Sequence, residues 1–185
     1  MPYSMKLCKA LSVLVLLLLA GSWGEAWAQA TNPPADAPGW QRVTSDEYRF
    51  TVLMPAEPAV RNIADTPAGS TTRQFFVLLD DARGAYMVRI QRALTGYSFA
   101  AVPDGVAERY ARAMDITLDS QRAFTFAGVP AREALLHDMT VRHRVIWLAA
   151  NNSLYVIGAA GRGEAFQSAA DARRFFGSFQ LIGTP

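Results

Sequence analysis

Three neighbouring residues have side chains of the types that bind metals or transfer protons. His137 and His143 are the only histidines of the chain, and Asp138 lies between them. Imidazole and carboxylate groups are common ligands of zinc and other divalent metals.

If the chain folds back at residues 138–140, the two imidazoles can approach across neighbouring strands and bind a metal with Asp138. If the strand continues, they are about 20 Å apart. We favour two ordinary sheet histidines and expect no metal or cofactor, and we keep the metal site as the alternative.

A hydrolytic centre would have to use the same histidines. None of the serines, Ser178 among them, lies in a G-x-S-x-G sequence, which is typical of one large class of hydrolases. Glu133 and Asp138 are an odd number of positions apart, so an uninterrupted strand would place their carboxylates on opposite faces. Glu133 is instead expected to support the turn after Pro130. We therefore predict no catalytic residue and a protein that is not an enzyme, with a metal-dependent or hydrolytic enzyme using the region from His137 to His143 as the alternative.

A second candidate site consists of Arg142, His143 and Arg144. Alternation along a strand places the two arginines on one face, together with Ile146. Guanidinium groups pair well with carboxylates and phosphates. If Arg89 or Arg132 shares this face, the arginines form a patch for an anionic ligand or partner. The common alternative is that arginines simply cover the solvated side of a sheet.

The first thirty residues have the pattern of a secretory signal peptide. Lys6 and Lys9 precede the apolar run 10–20, and two A-x-A sequences place cleavage after Ala28 or Ala30. The run is shorter than the ~20 residues that span a bilayer, so we expect no stable membrane insertion after cleavage. The sequence predicts an exported protein, periplasmic in a Gram-negative cell.

The predicted signal peptide contains the only cysteine and both lysines of the chain. What remains has 16 arginines (18 basic residues minus two) and 15 acidic residues (16 minus Glu25). Without cysteine, disulfides and thiolate metal sites are excluded. A nearly neutral domain also lacks the concentrated basic surface that nucleic acids need. We expect an envelope protein or a small ligand as the partner, and a monomer or weak oligomer.

The remaining chain is predicted to be a disordered linker at 31–39, which is rich in proline, followed by one domain at 40–185. Apolar residues mostly alternate, which is typical of half-buried strands. The predicted strands are 40–44, 48–54, 70–79, 85–94, 116–126, 131–137, 141–149 and 154–160, with 178–182 as a closing extended segment. Residues 55–69 are expected to form a loop with Pro58, Pro67 and Gly69. Turns are expected at Gly128–Pro130 and at Asn151–Asn152, because asparagine tolerates positive φ.

Two segments have helical rather than alternating periodicity. In 103–115, an apolar stripe contains Val106, Tyr110, Ala113 and Met114, with Pro103 in the first turn. The second predicted helix is 164–176, ended by Gly177, and residues 158–163 are expected to connect it to the last long strand. Helices that interrupt an antiparallel sheet must cover it. The sequence therefore predicts an α+β class, with a mainly antiparallel sheet covered by helices.

Several short sequences, in this order and spacing, resemble the PsbP-like fold, which is named for the extrinsic protein of photosystem II and is shared with a nuclear-import factor that binds the GTPase Ran. They are Trp40, the strand 48–52 before Pro55, and the segments 128–133, 154–157 and 174–179. The resemblance implies a layered α/β/α sandwich, as in exported bacterial proteins of unknown function. It does not imply the photosystem or Ran-binding roles, because fold does not determine function. We expect a non-enzymatic binding or accessory domain.

Overall fold

The computed structural model describes residues 39–64, 70–79, 84–96, 98–163, 166 and 169–183. The predicted signal peptide and all of the predicted linker except Gly39 lie outside these residues. The described elements, in chain order, are strands β1 (Gln41–Ser45), β2 (Phe50–Met54), β3 (Ala59–Ile63), β4 (Ser70–Leu79) and β5 (Gly84–Ala93), helix α1 (Val106–Met114), strands β6 (Thr117–Phe126), β7 (Val129–His137), β8 (Val141–Ala150) and β9 (Ser153–Arg162), helix α2 (Ala170–Ser178) and strand β10 (Gln180–Leu181). The predicted α+β class with a mainly antiparallel sheet is confirmed.

The strands form two antiparallel sheets. The small sheet has the order β1-β2-β10, and the large sheet has the order β3-β4-β5-β9-β8-β7-β6. The hairpins β1–β2, β4–β5 and β8–β9 were predicted from alternation and turn residues. For β7 and β8 the sequence left two alternatives open, and the structure shows the hairpin rather than a continuous strand. Asn151 and Asn152, with φ of 51° and 56°, make the predicted tight turn between β8 and β9.

The two faces of the large sheet carry different clusters of buried side chains. Residues directly opposite each other on paired strands share a face, and successive residues alternate. The first face carries Val88, Ile146 and Ile157, which pack with β2 and α2 in one cluster. The second face carries Val145 and Trp147, which pack with α1 in the other cluster. The α/β/α layering that the resemblance implies stays a prediction.

Four local predictions were wrong. The segment predicted as a loop before Ser70 contains β3, which pairs with β4. Val129 and Pro130 belong to β7, and the turn before them consists of Ala127 and Gly128. Most of 158–163 belongs to β9, which continues to Arg162. Gly177 lies within α2, which ends one residue later.

The register of α1 also differs from the prediction. The helix starts at Val106, after Gly105 with φ of 65°, so Pro103 precedes it. Its fully buried side chains are Ala107 and Ala111, and Val106 and Tyr110 of the predicted stripe pack against the same cluster, while Met114 is exposed. The prediction followed the larger apolar residues and therefore missed that two alanines are the most buried residues of the helix.

Neither described helix could cross a membrane, since each contains nine residues.

Candidate functional site

The candidate metal ligands His137, Asp138 and His143 lie around a tight turn, which is the condition that the alternative metal site required. Asp138 Oδ1 accepts hydrogen bonds from the backbone N–H of Thr140 (2.8 Å) and of Val141 (2.7 Å). The first of these bonds is the main cause that lowers the pKa of the Asp138 carboxyl group. Asp138 therefore folds the chain back between β7 and β8, and its side chain supports the turn.

The turn does not bring the two imidazoles together. His137 lies opposite Arg142, whereas His143 lies opposite Leu136, so the two histidines are on opposite faces of the large sheet. His137 Nδ1 lies 2.6 Å from Asp119 Oδ1, and His143 Nε2 lies 3.9 Å from Asp138 Oδ2. No cluster of three or more potential metal ligands occurs within the described ranges. The geometry gives the shared metal site no support.

The candidate contact residues divide between the two faces. Arg142 and Arg144 share the first face, as predicted, and His143 is on the second. Arg142 Nη1 lies 3.5 Å from Asp119 Oδ2, at a bulge in β6. Arg89 and Arg132 are on the second face with His143, so they do not extend the predicted patch. A role for Arg142, His143 and Arg144 in contacting a ligand stays a prediction.

Arg144 is one part of a buried ionic network. Its Nε and Nη2 both lie 2.6 Å from Glu133 Oε1, and Arg122 Nε lies 2.5 Å from Glu133 Oε2. The guanidinium carbon of Arg144 lies 4.3 Å from the centre of the Phe176 ring. Burial lowers the pKa of Arg144, and the charge of Glu133 opposes this effect. Glu133 was expected to support a turn, but it lies within β7 and instead joins β6, β7 and β8.

A concave groove lies on the second face of the large sheet, beside α1, with a volume of about 250 Å³. Its floor contains two rows of residues that run across neighbouring strands. One row contains Phe76, Met87, Gly158 and Val145. We call this concavity the apolar groove.

The second row of the apolar groove ends at His143. It contains Leu78, Ala85, Ala160 and His143, in the order of their strands. Burial lowers the pKa of the His143 imidazole, and the nearby Asp138 carboxylate opposes that shift. His143 is thus the one predicted contact residue that the structure places in this groove.

Gly158 contributes to the depth of the groove. It lies in β9 at the centre of the large sheet, where glycine is uncommon unless another group approaches closely. A Cβ atom at this position would lie 3.1 Å from the Met87 Cε atom. A side chain on Gly158 would therefore occupy the floor of the groove.

The edge of the groove is polar. Arg61, Gln74 and Tyr110 line it, the first two from β3 and β4 and the third from α1. Burial raises the pKa of Tyr110, and the charge of Arg89 opposes this rise. One signal in the sequence pointed to this site: Met87 lies on the face of its predicted strand opposite Tyr86 and Val88, among the polar residues Arg89 and Gln91.

Comparison with known proteins identifies the architecture. The chain is similar to the solution structure of cyanobacterial PsbP (CyanoP) from Synechocystis, with a TM-score of 0.58 and 11% sequence identity. The match covers 88% of this chain and 100% of that one. The chain has a PsbP-like fold. The resemblance expected from the sequence is thereby confirmed for the fold. No family model and no curated protein matches the sequence.

Proposed function

We propose that this PsbP-like chain is an exported, non-enzymatic binding or accessory domain that holds its partner or ligand in the apolar groove. The observation that carries the proposal is the groove itself, with an apolar floor that the strands of the large sheet build beside α1. Ligand sites are usually concave and mostly apolar, with a few polar groups at fixed positions. Here Arg61, Gln74 and His143 supply these groups.

Further support comes from the residues that an enzyme would need. Asp138 holds a turn, Glu133 neutralises the buried Arg144, and the two histidines lie on opposite faces. We propose that export follows cleavage after Ala28 or Ala30, and that the domain acts as a monomer or weak oligomer. We also propose an α/β/α layering, supported by the packing of α1 and α2 into clusters on opposite faces of the large sheet.

The test is retention of envelope components by the protein and by two variants. Leu78 lines the groove and is 71% exposed, so Leu78→Asp adds a charge there without disturbing the core. Arg42→Gln, on exposed β1 in the small sheet, is the matched control. We expect wild type and Arg42→Gln to retain the same protein or small molecule from envelope extracts, as measured by mass spectrometry, and Leu78→Asp to lose it.

Two results would overturn the proposal. The groove is not the binding site if Leu78→Asp retains everything that wild type retains. Export is wrong if cell fractionation finds the protein in the cytoplasm with its N-terminal segment uncleaved. Sequencing of the N-terminus of the exported form distinguishes the two cleavage positions.

A further inference from the structure

We infer that the apolar groove binds a small amphipathic carboxylate, with its charged group beside Arg61 and Arg89 and its apolar body over Phe76 and Met87. The inference rests on the proposed function, because it names the ligand class of the same groove.

The positive charge comes from one row of residues across three strands, in which Arg61 lines the groove and Arg89 lies beside the lining on the same face. Gln74 lies opposite Arg61 on β3 and opposite Arg89 on β5, so each arginine is one strand spacing, about 4.8 Å, from it along the sheet. Gln74 Oε1 accepts hydrogen bonds from Arg61 Nε (3.1 Å) and Nη2 (3.0 Å). These bonds orient the Arg61 guanidinium along the row.

Within the described part of the chain, no acidic side chain forms an ion pair with Arg61 or Arg89. In contrast to Arg122 and Arg144, neither has a carboxylate within 4.0 Å among the residues that the structure describes. Asp and Glu are also absent from the described lining of the groove. Since a guanidinium pairs preferentially with carboxylate or phosphate oxygens, this row favours an anion.

The apolar surface begins directly beside these cations. The guanidinium carbon of Arg61 lies 4.9 Å from the centre of the Phe76 ring, and Gln74 Nε2 lies 3.2 Å from Met87 Sδ. A ligand with a charged end and an apolar body can therefore contact both parts at once. The groove volume of about 250 Å³ is just below the range of about 300–1,000 Å³ for drug-sized ligands, so the ligand is small.

The opposite end of the groove disfavours an anion. His143 lies there, its pKa is lowered by burial, and Asp138 Oδ2 is 3.9 Å from its Nε2. A second negative charge at this end would be close to the Asp138 carboxylate. The orientation is therefore set, with the carboxylate at the β3 edge and the apolar body pointing toward β8.

The test uses decanoate as the probe, with decanol and decyltrimethylammonium as matched neutral and cationic probes. Titration calorimetry with the purified protein is expected to give at least about tenfold tighter binding of decanoate than of either control, because hydrogen bonds to charged groups are the stronger ones. Equal or tighter binding of decanol or of the cation overturns the inference.

Variants locate the bound carboxylate. We expect the double variant Arg61→Gln/Arg89→Gln to weaken decanoate at least about fivefold and leave decanol unchanged, because only the charge-assisted hydrogen bonds are lost. Leu78→Asp should weaken both ligands, and Arg42→Gln should weaken neither. Circular dichroism verifies that each variant is folded.

The inference and the proposed function can fail separately. If decanoate does not bind while Leu78→Asp still loses the retained envelope component, the ligand class is wrong and the groove remains the binding site. We would expect this combination of results if the groove bound an acidic peptide or a second copy of this chain. If decanoate binds equally to wild type and to the arginine variant, the assigned position of the carboxylate is wrong.

Discussion

Glu133 shows how a charged residue in this protein serves the fold. The residue is 5% exposed and accepts hydrogen bonds from two arginines, of which Arg144 is 7% exposed. A buried carboxylate is tolerated only when it is paired and hydrogen-bonded. The excess positive charge of this network lies on Arg122, whose side chain is 45% exposed and therefore hydrated.

We expect Glu133→Gln to lower the free energy of unfolding by about 3 kcal/mol, because it leaves Arg144 buried without its counter-ion. Arg122→Gln, at the half-exposed partner, should cost only about 1 kcal/mol or less. Urea denaturation measures both values. A cost for Glu133→Gln no larger than that for Arg122→Gln would show that solvent screens the network.

The sequence predicted on which face of the sheet a residue lies better than it predicted which side chains that residue contacts. Strand alternation alone placed Arg142 and Arg144 together. It could not show that Arg144 is buried against Glu133, because the two are brought together by the register of β7 and β8. The separation of His137 from His143 likewise depends on the register of that hairpin. The groove was missed because its lining comes from three separate stretches of the chain, β3 to β5, α1, and β8 to β9, which only the tertiary fold brings together.

At the scale of elements, Ser178 connects α2 to the small sheet. Its hydroxyl donates to the Phe175 carbonyl oxygen and accepts from the Leu53 backbone N–H, both at 2.8 Å. β10 pairs with β2 only at Phe50 and Thr51. If the pairing of β10 with β2 were extended in the same register, Ser178 would lie opposite Leu53. The Ser178 hydroxyl therefore accepts the hydrogen bond that the backbone of a longer β10 would accept from the Leu53 N–H.

Ser178→Ala is expected to lower the free energy of unfolding by about 1–3 kcal/mol, because the Leu53 N–H would remain buried without an acceptor. Ser120→Ala, on exposed β6, is the matched control and should change stability by less than about 0.5 kcal/mol. Thermal or chemical denaturation measures both. Amide exchange at Leu53 should also accelerate in Ser178→Ala, and unchanged exchange there would contradict this explanation.

Elements with a clear apolar period were predictable, and those defined by tertiary contacts were not. β5 alternates in burial over most of its length and β4 ends in an apolar run, and their predicted bounds differ from the observed ones by one residue at most. All but one residue of β3 is exposed, so its sequence has no buried face to detect. It is a strand because β4 provides the hydrogen-bonding partner. In α1, the position of the sheet rather than the largest apolar residues determines which face is buried.

At the scale of the whole molecule, the two hydrophobic clusters depend on the same strands. Successive residues of β8 alternate between them: Ile146 and Leu148 belong to the first cluster, and Val145 and Trp147 to the second. Opening β8 would therefore expose both clusters at once. We expect the described domain to unfold as one cooperative unit, with neither cluster persisting alone.

Two tryptophans allow this expectation to be tested from both sides of the sheet. After the predicted cleavage only Trp40 and Trp147 remain. Trp40 packs against the first cluster, near Tyr86, and Trp147 belongs to the second, near Tyr110. Trp147→Phe leaves a reporter on the first cluster, and Trp40→Phe leaves one on the second.

Within each variant, fluorescence and far-ultraviolet circular dichroism should follow the same urea transition. Trp147→Phe should unfold at lower urea than Trp40→Phe, because Trp147 is 2% exposed and its replacement leaves a cavity. The lower urea midpoint of Trp147→Phe affects its fluorescence and its circular dichroism equally, so the two transitions can still be compared within that variant. If Trp147 fluorescence in Trp40→Phe changed at lower urea than the dichroism, α1 and the second cluster would unfold first. The groove would then lose the side that α1 forms while the large sheet remained folded. Ligand binding would be expected to depend on the stability of α1 and the second cluster.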